Sequence, residues 1–185
     1  MDQGARIYRE YLAGNDQALC DIIERYRSGL TLFLNRYVHD LDLAEELTED
    51  VFFRLVTKKP RFSDDYHFKT WLYTIGRNLA INHLKRAARQ TELTPEVLER
   101  QSAESDALED RYVLQERSRI LYRALCRLRP EYSEALQLKY FEELSNAEIG
   151  TIMKKSRRQV ENLIYQAKKA LRAELKPEEF DDEDF

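Results

Sequence analysis

Three groups of residues in this 185-residue chain have types and spacings that could do chemistry. The first is acidic. Asp42, Glu45, Glu46, Glu49 and Asp50 recur at intervals that place several carboxylates on one face of a helix. Paired carboxylates can act as general acids and bases or hold a metal ion, although most acidic helix faces are only solvated. His39, His67 and His83 complete no ligand spacing such as HExxH, and no glycine-rich phosphate loop or Ser or Cys nucleophile motif is present. The sequence therefore predicts neither catalysis nor a metal or other cofactor from these acids.

The second group is basic and aromatic. Residues 67–90 carry Lys69, Arg77, Lys85, Arg86 and Arg89 with no acid, next to Phe62, Tyr66, Phe68, Trp71 and Tyr73. Positive charge follows phosphates, and aromatic faces stack on unpaired bases for roughly 1–3 kcal/mol each. Phe68, Trp71 and Tyr73 lie on a periodic apolar face and are expected in the core. Phe62 and Tyr66, in the preceding loop, are expected to be open to a ligand. The third group is Arg157, Arg158 and Gln159, followed by Asn162, Tyr165, Gln166 and Lys169. Bases and amides in the first turns of a helix are what reads base edges and phosphates in a major groove. The plainer alternative is a basic surface helix in an ordinary bundle.

The elements that must position these groups all read as helices. Residues 5–12 suggest a short one, and Asn15 a cap for a longer one with Leu19, Ile22, Ile23, Tyr26, Leu30, Phe33, Leu34 and Tyr37 at helical spacing. Asp42 with Glu45 reads as a capping box opening a third helix, which buries Leu43, Leu47, Val51, Phe52 and Leu55. Residues 60–67 read as a loop. A fourth helix from Phe68 to about Arg89 directs Trp71, Leu72, Ile75, Leu79 and Ile81 inward. Residues 90–110 hold seven acids against Arg100 alone and read as a flexible linker. Helical pattern resumes from Leu108 to Leu128, and Pro130 opens a further helix reaching Phe141. Two capping boxes come next, Ser145–Glu148 and Ser156–Gln159, around a short helix with Ile149, Ile152 and Met153. The last helix has a buried stripe of Val160, Ile164, Ala167 and Leu171, flanked by Leu163. Two helices joined by a short turn, the second basic, form a helix-turn-helix pattern.

Bulk composition agrees. Five glycines and four prolines leave little for the turns of an all-β fold. No run approaches the ~20 apolar residues that span a bilayer, and the first residues carry charges where a signal peptide is apolar. Cys20 and Cys126 sit within apolar helical patterns without metal spacing, so a cytoplasmic, reduced protein with no membrane insertion is expected. The formal net charge is −4, but Glu178, Glu179, Asp181, Asp182, Glu183 and Asp184 at the end carry six negative charges, leaving residues 1–177 at +2. Residues 145–177 alone hold eight bases and three acids. Local field governs DNA binding, so two basic zones in a mildly acidic chain are compatible with it. The acidic tail reads either as a solubilising end or as a segment that folds back on Lys168, Lys169 and Arg172.

These residues resemble a known family. DLAEELTEDVFFRL (42–55) resembles region 2.2 of the extracytoplasmic-function (ECF) sigma factors, FKTWLYTIGRNLAINHLKR (68–86) their regions 2.3 and 2.4, and residues 128–171 their region 4. The resemblance implies an all-α protein of two small helical domains joined by a flexible linker: region 2 over 1–90, a linker over 91–109, region 4 over 110–177 and an acidic tail over 178–185. It implies a sigma factor directing promoter-specific transcription initiation in a stress or envelope response. The implied partners are the RNA polymerase core, through the β′ clamp helices and the β flap, promoter DNA and an anti-sigma factor. The core would be met by Asp42, Glu45, Glu46, Glu49, Asp50 and Arg54. The minus-ten element would be met by Phe62, Ser63, Tyr66, Asn78, Asn82, Lys85 and Arg86. The minus-thirty-five element would fall to Arg157, Arg158, Gln159, Asn162, Gln166 and Lys169. This chain departs from the family pattern at Asn82, where Asp is usual, and at Arg158–Gln159, Glu161 and Leu163 in the recognition helix. Two rival readings are a stand-alone helix-turn-helix regulator, which leaves the first 90 residues unused, and a protein-interaction bundle.

Overall fold

The computed structural model describes residues 2–62, 67–90, 121, 124–125 and 127–175. The segments 63–66, 91–120 and 176–185 lie outside the described residues, and with them Ser63, Tyr66, the expected linker and the acidic tail. The described residues are helical with short connections: α1 (Gln3–Leu12), α2 (Asp16–Val38), α3 (Leu41–Lys58), α4 (Phe68–Gln90), α5 (Pro130–Leu136), a π-helical turn (Gln137–Phe141), α6 (Asn146–Met153) and α7 (Arg157–Glu174).

Asp2 starts two of these helices. Its carboxylate accepts from the Gly4 amide at 2.9 Å and so caps α1, and it also accepts from the amide of Phe68 at the start of α4. One side chain thereby satisfies orphan donors of two helix ends and holds them together. Above it, Tyr8, Phe68 and Trp71 form an aromatic cluster with ring centroids 5.2 Å (Tyr8–Phe68) and 5.4 Å (Tyr8–Trp71) apart. Burial together with neighbouring Tyr11 pushes the Tyr8 phenol up to about 12. That hydroxyl donates to the Pro60 carbonyl at 2.8 Å and anchors the start of the loop.

Asn15 flanks α2 as expected but makes no side-chain capping bond. The cap of α3 is Asp40, not Asp42. Asp40 is extended (φ −147°, ψ 113°), and its carboxylate accepts from the Leu43 amide at 3.0 Å. The reason is packing: Leu41 is buried, so the helix must begin early enough to point it at the core. Asp42 instead occupies the first turn, where its charge meets the positive end of the helix. Leu47, Val51, Phe52 and Leu55 are buried as the periodicity predicts, while Leu43 is half-buried. Between α2 and α3, Thr31 and Thr48 share a buried hydroxyl contact of 3.1 Å. Cys20 is exposed, off the Ala18–Ile22 stripe that takes the core direction. On α4, Phe68, Leu72, Tyr73 and Leu79 are buried, and Trp71, Ile75 and Ile81 half-buried.

Pro130 occupies the first turn of α5, and both capping boxes are formed. The helix expected to run from Pro130 to Phe141 changes character on the way. Its last turn widens, and the Glu142 amide reaches back five residues to the Gln137 carbonyl at 3.1 Å. A wider turn rotates the residues after it, and Glu142 enters the interior. Ala124, Leu125, Leu136, Ala167, Leu171 and Leu175 make one small apolar cluster. The larger cluster is shared: Leu138, Ile149, Ile152, Met153, Val160 and Ile164 join the same buried set as Tyr8, Leu30, Phe33 and Leu72.

Candidate nucleic-acid interface

The Ser145 and Ser156 boxes fix both helices of the helix-turn-helix. In each, the serine hydroxyl accepts from the third amide of the helix, and the Glu148 or Gln159 side chain returns to the serine amide at 2.8 Å. Between them the backbone turns at Lys154, whose φ of 57° is left-handed. The turn comes so close to α6 that a Cβ on Gly150 would stand 2.6 Å from the Lys155 carbonyl oxygen. Only glycine permits that approach.

So placed, α7 turns Val160, Ile164, Ala167 and Leu171 into the core, with Leu163 half-buried beside them. The opposite face is open: Arg157, Arg158, Gln159, Asn162, Tyr165, Gln166 and Lys169 are all exposed. Arg158, Gln159 and Asn162 line one shallow hollow with Ser156. Gln159, Asn162 and Gln166 line a second with Arg129, Tyr132 and Lys155. Two of these side chains have partners already. Arg157 Nε pairs with Glu161 Oε1 at 2.9 Å, and the Gln159 amide oxygen is taken by its cap. Arg158, Asn162 and Gln166 thus face the solvent from the first three turns, which is the geometry of a helix that enters a groove. The Arg129 guanidinium lies over the Tyr132 ring at 4.1 Å and flanks this surface; its place at the cap of a proline-started helix gave no signal of it in the sequence.

The basic zone of α4 divides into two. Asn78, Asn82, Lys85 and Arg86 are exposed. Lys69 and Arg77, which belong to the same basic zone in the sequence, turn the other way and pair with carboxylates of the second half of the chain. Phe62, expected to be open to a ligand, is half-buried against Phe68 and Trp71 with centroids at 5.9 and 5.6 Å. Its place two residues after Pro60, whose carbonyl is bound by Tyr8, draws it into the aromatic cluster.

The acidic face of α3 is formed as expected. Asp42, Glu46, Glu49, Asp50 and Arg54 are exposed and Glu45 is half-exposed. Arg27 of α2 reaches Glu49 at 3.7 Å, a solvent-screened pair. Phe53, 64% exposed, and Val56 continue the helical row Asp42–Glu46–Glu49, an extension the periodicity alone did not bring out. An exposed phenylalanine at i+4 from an acid, on a helix with a complete buried stripe, was the available signal. Among the described residues, no group of three or more His, Cys, Asp or Glu side chains could hold a metal ion. No helix among them is long and apolar enough to cross a membrane.

Comparison with known proteins agrees with this architecture. The Sigma-70 region 2 family matches residues 22–90, and the Sigma-70, region 4 family matches residues 118–171. The ECF RNA polymerase sigma factor SigW of Bacillus subtilis is 28% identical over 171 residues, covering 88% of this chain and 91% of its own. The ECF RNA polymerase sigma-E factor of Escherichia coli is 25% identical over 172 residues, covering 89% and 90%. Among solved structures, the sigma factor RpoE bound to the anti-sigma factor NepR from Bartonella quintana superposes with a TM-score of 0.62 at 18% identity, over 82% of this chain and 92% of that one. CnrH, solved with the cytosolic domain of CnrY, gives 0.60 at 21% identity over 90% and 93%. The helical order, the capped helix-turn-helix and both matched regions lead to one conclusion: the chain belongs to the sigma-70 family, as an ECF sigma factor of bacterial RNA polymerase.

Proposed function

We propose that this chain binds the RNA polymerase core and directs promoter-specific initiation of transcription, serving as a regulatory subunit rather than an enzyme, in the cytoplasm and in a stress or envelope response. The observation that carries the reading is the exposed polar face of α7 behind a doubly capped helix-turn-helix, in a chain whose first half matches region 2. In this reading residues 1–90 dock on core and open the minus-ten element, 91–109 connect, 110–177 read the minus-thirty-five element, and 178–185 are an acidic tail.

The α3 face of Asp42, Glu45, Glu46, Glu49, Asp50 and Arg54 meets the β′ clamp helices. Phe53 supplies the apolar anchor that an acidic face lacks, since interface energy concentrates in buried aromatic groups. Phe62, Ser63, Tyr66, Asn78, Asn82, Lys85 and Arg86 serve the minus-ten element. Arg158, Asn162 and Gln166 carry direct readout upstream, while Arg157, Gln159 and Lys169 hold phosphates. The second half docks on the β flap. An anti-sigma factor restrains the free protein, a reading supported by the similar sigma factor RpoE solved with the anti-sigma factor NepR. Run-off transcription with purified core on genomic fragments, with start sites mapped, tests the reading. Products absent without the chain and starting at a common upstream motif are expected; no specific start with core present would sink it.

A further inference from the structure

Helix α1 lies ahead of residues 22–90, which match region 2, yet it is tied to both ends of the loop between α3 and α4. At the departing end, α3 stops at Lys58, Lys59 turns into the left-handed region (φ 39°), and Pro60 follows. The Tyr8 hydroxyl donates to the Pro60 carbonyl at 2.8 Å, and the Lys59 ammonium lies 5.0 Å from the centre of the Tyr11 ring. At the returning end, Oδ2 of Asp2 accepts from the Phe68 amide, while Oδ1 caps α1 through the Gly4 amide at 2.9 Å. His67 Nδ1 stands 3.8 Å from the same Oδ2. Gly4 permits this close seating. A Cβ there would overlap the Tyr26 hydroxyl and stand 2.8 Å from Cδ1 of Phe68.

The two ties start from positions 2 and 8 of one helix, about 9 Å apart along its axis. Between the ends they hold, Phe62 packs edge-on against Phe68 and Trp71. A loop fixed at both ends has fewer arrangements to lose when it orders around a ligand. Such ties raise affinity without contributing a contact to the ligand. Neither residue is itself available to DNA: Tyr8 is fully buried, and both Asp2 oxygens are taken. Pro60 is only half-buried, so water can replace the phenol at its carbonyl. The Tyr8 hydroxyl therefore contributes more to placement than to stability.

Resting on the functional reading above, we propose that α1 is a positioning element for minus-ten recognition: the Tyr8 hydroxyl and the Asp2 carboxylate fix the Pro60 and Phe68 ends of the loop, and with them the stance of Phe62, without touching DNA. Loosening either tie leaves the DNA-facing side chains in place but makes the unpaired base that they meet harder to tell from another.

The test uses the full chain assembled with core. The probe is a single-stranded oligonucleotide with the non-template minus-ten sequence of a promoter whose start run-off has mapped. A second set has each base of that element replaced in turn, and anisotropy gives the ratio of affinities. Y8F removes one oxygen and keeps the ring. D2N keeps one oxygen to cap α1 but turns an N–H toward the Phe68 amide. Each should lower discrimination at the best-read base by roughly three- to ten-fold, as loss of one hydrogen bond does. Core association and helix content should stay as in the unaltered chain. Y26F, which removes the hydroxyl beside Gly4 and neither tie, should leave the ratio unchanged. A purely structural role would instead lower the melting temperature and core association and leave the ratio between bases where it was. Wild-type ratios from both Y8F and D2N would overturn the proposal, as would an equal drop from Y26F. No discrimination between bases by the unaltered holoenzyme would overturn the functional reading itself.

Discussion

In the proposed reading, Arg158 and Lys169 do different work on one exposed helix face. Arg158 stands in the first turn of α7 beside Gln159 and Asn162, where a guanidinium can bond a base edge in bidentate fashion. Arg158→Ala should therefore weaken minus-thirty-five binding by about 1–3 kcal/mol and only for sequences carrying the recognised base. Lys169, three turns on and exposed, should on removal lower affinity for all sequences alike and flatten the salt dependence. Equal, sequence-blind losses in a binding titration would mean that Arg158 also holds phosphate. His39 illustrates a different residue-scale effect. It closes α2 in the left-handed region (φ 51°), and burial, then Arg36, lowers its imidazole below the ordinary 6.5. The fold thus favours the neutral ring, and below about pH 6.5 the unfolded chain binds a proton that the folded one resists. Stability should fall as pH drops from about 7.5 to about 5.5. His39→Asn tolerates the same backbone and should lose less of its Tm over that range; an identical Tm loss would place the pH sensitivity elsewhere.

At the scale of elements, α3 separates its tasks by face. Leu47, Val51 and Leu55 are fully used by the core, so Glu45, Glu46 and Glu49 can be changed without unfolding the bundle. Reversing all three charges should abolish core association while melting remains close to wild type. Phe53→Ala should weaken core association by about 2 kcal/mol if this ring is an anchor. Wild-type holoenzyme assembly by both variants in a pull-down titration would leave the face merely solvated. The capping serines offer an internal control for α6 and α7. Ser156→Ala removes a formed box and should cost about 1 kcal/mol in chemical denaturation, because one helix-end amide loses its acceptor.

For the whole molecule, the two basic surfaces are modest and belong to halves that share a core in the free chain. The isolated protein should bind duplex promoter DNA poorly and become sequence-specific only with polymerase core. Fluorescence anisotropy with and without core measures this. Nanomolar, sequence-specific binding by the chain alone at physiological salt is the result that the closed arrangement forbids.

Local patterns in the sequence determined most of the elements, because local chemistry makes them. Ser145–Glu148 and Ser156–Gln159 cap the helices that come after them, Pro130 can only start one, and the Val160–Ile164–Ala167–Leu171 stripe leaves the opposite face of α7 exposed in almost any packing. Burial moved one boundary: Asp40, not the expected Asp42, became the cap because Leu41 had to reach the core. Tertiary structure alone decided the rest. Glu134 and Glu142 follow no period and look like surface acids, Glu148 reads only as the end of a capping box, and Lys69 and Arg77 look like part of a basic DNA face. Their pairing across 57 to 78 residues depends on a π-helical turn and on the space above Gly29, neither of which leaves a local signature. Sequence separation is invisible to helical periodicity, and a buried ion pair is specified only by the two surfaces that bring it together.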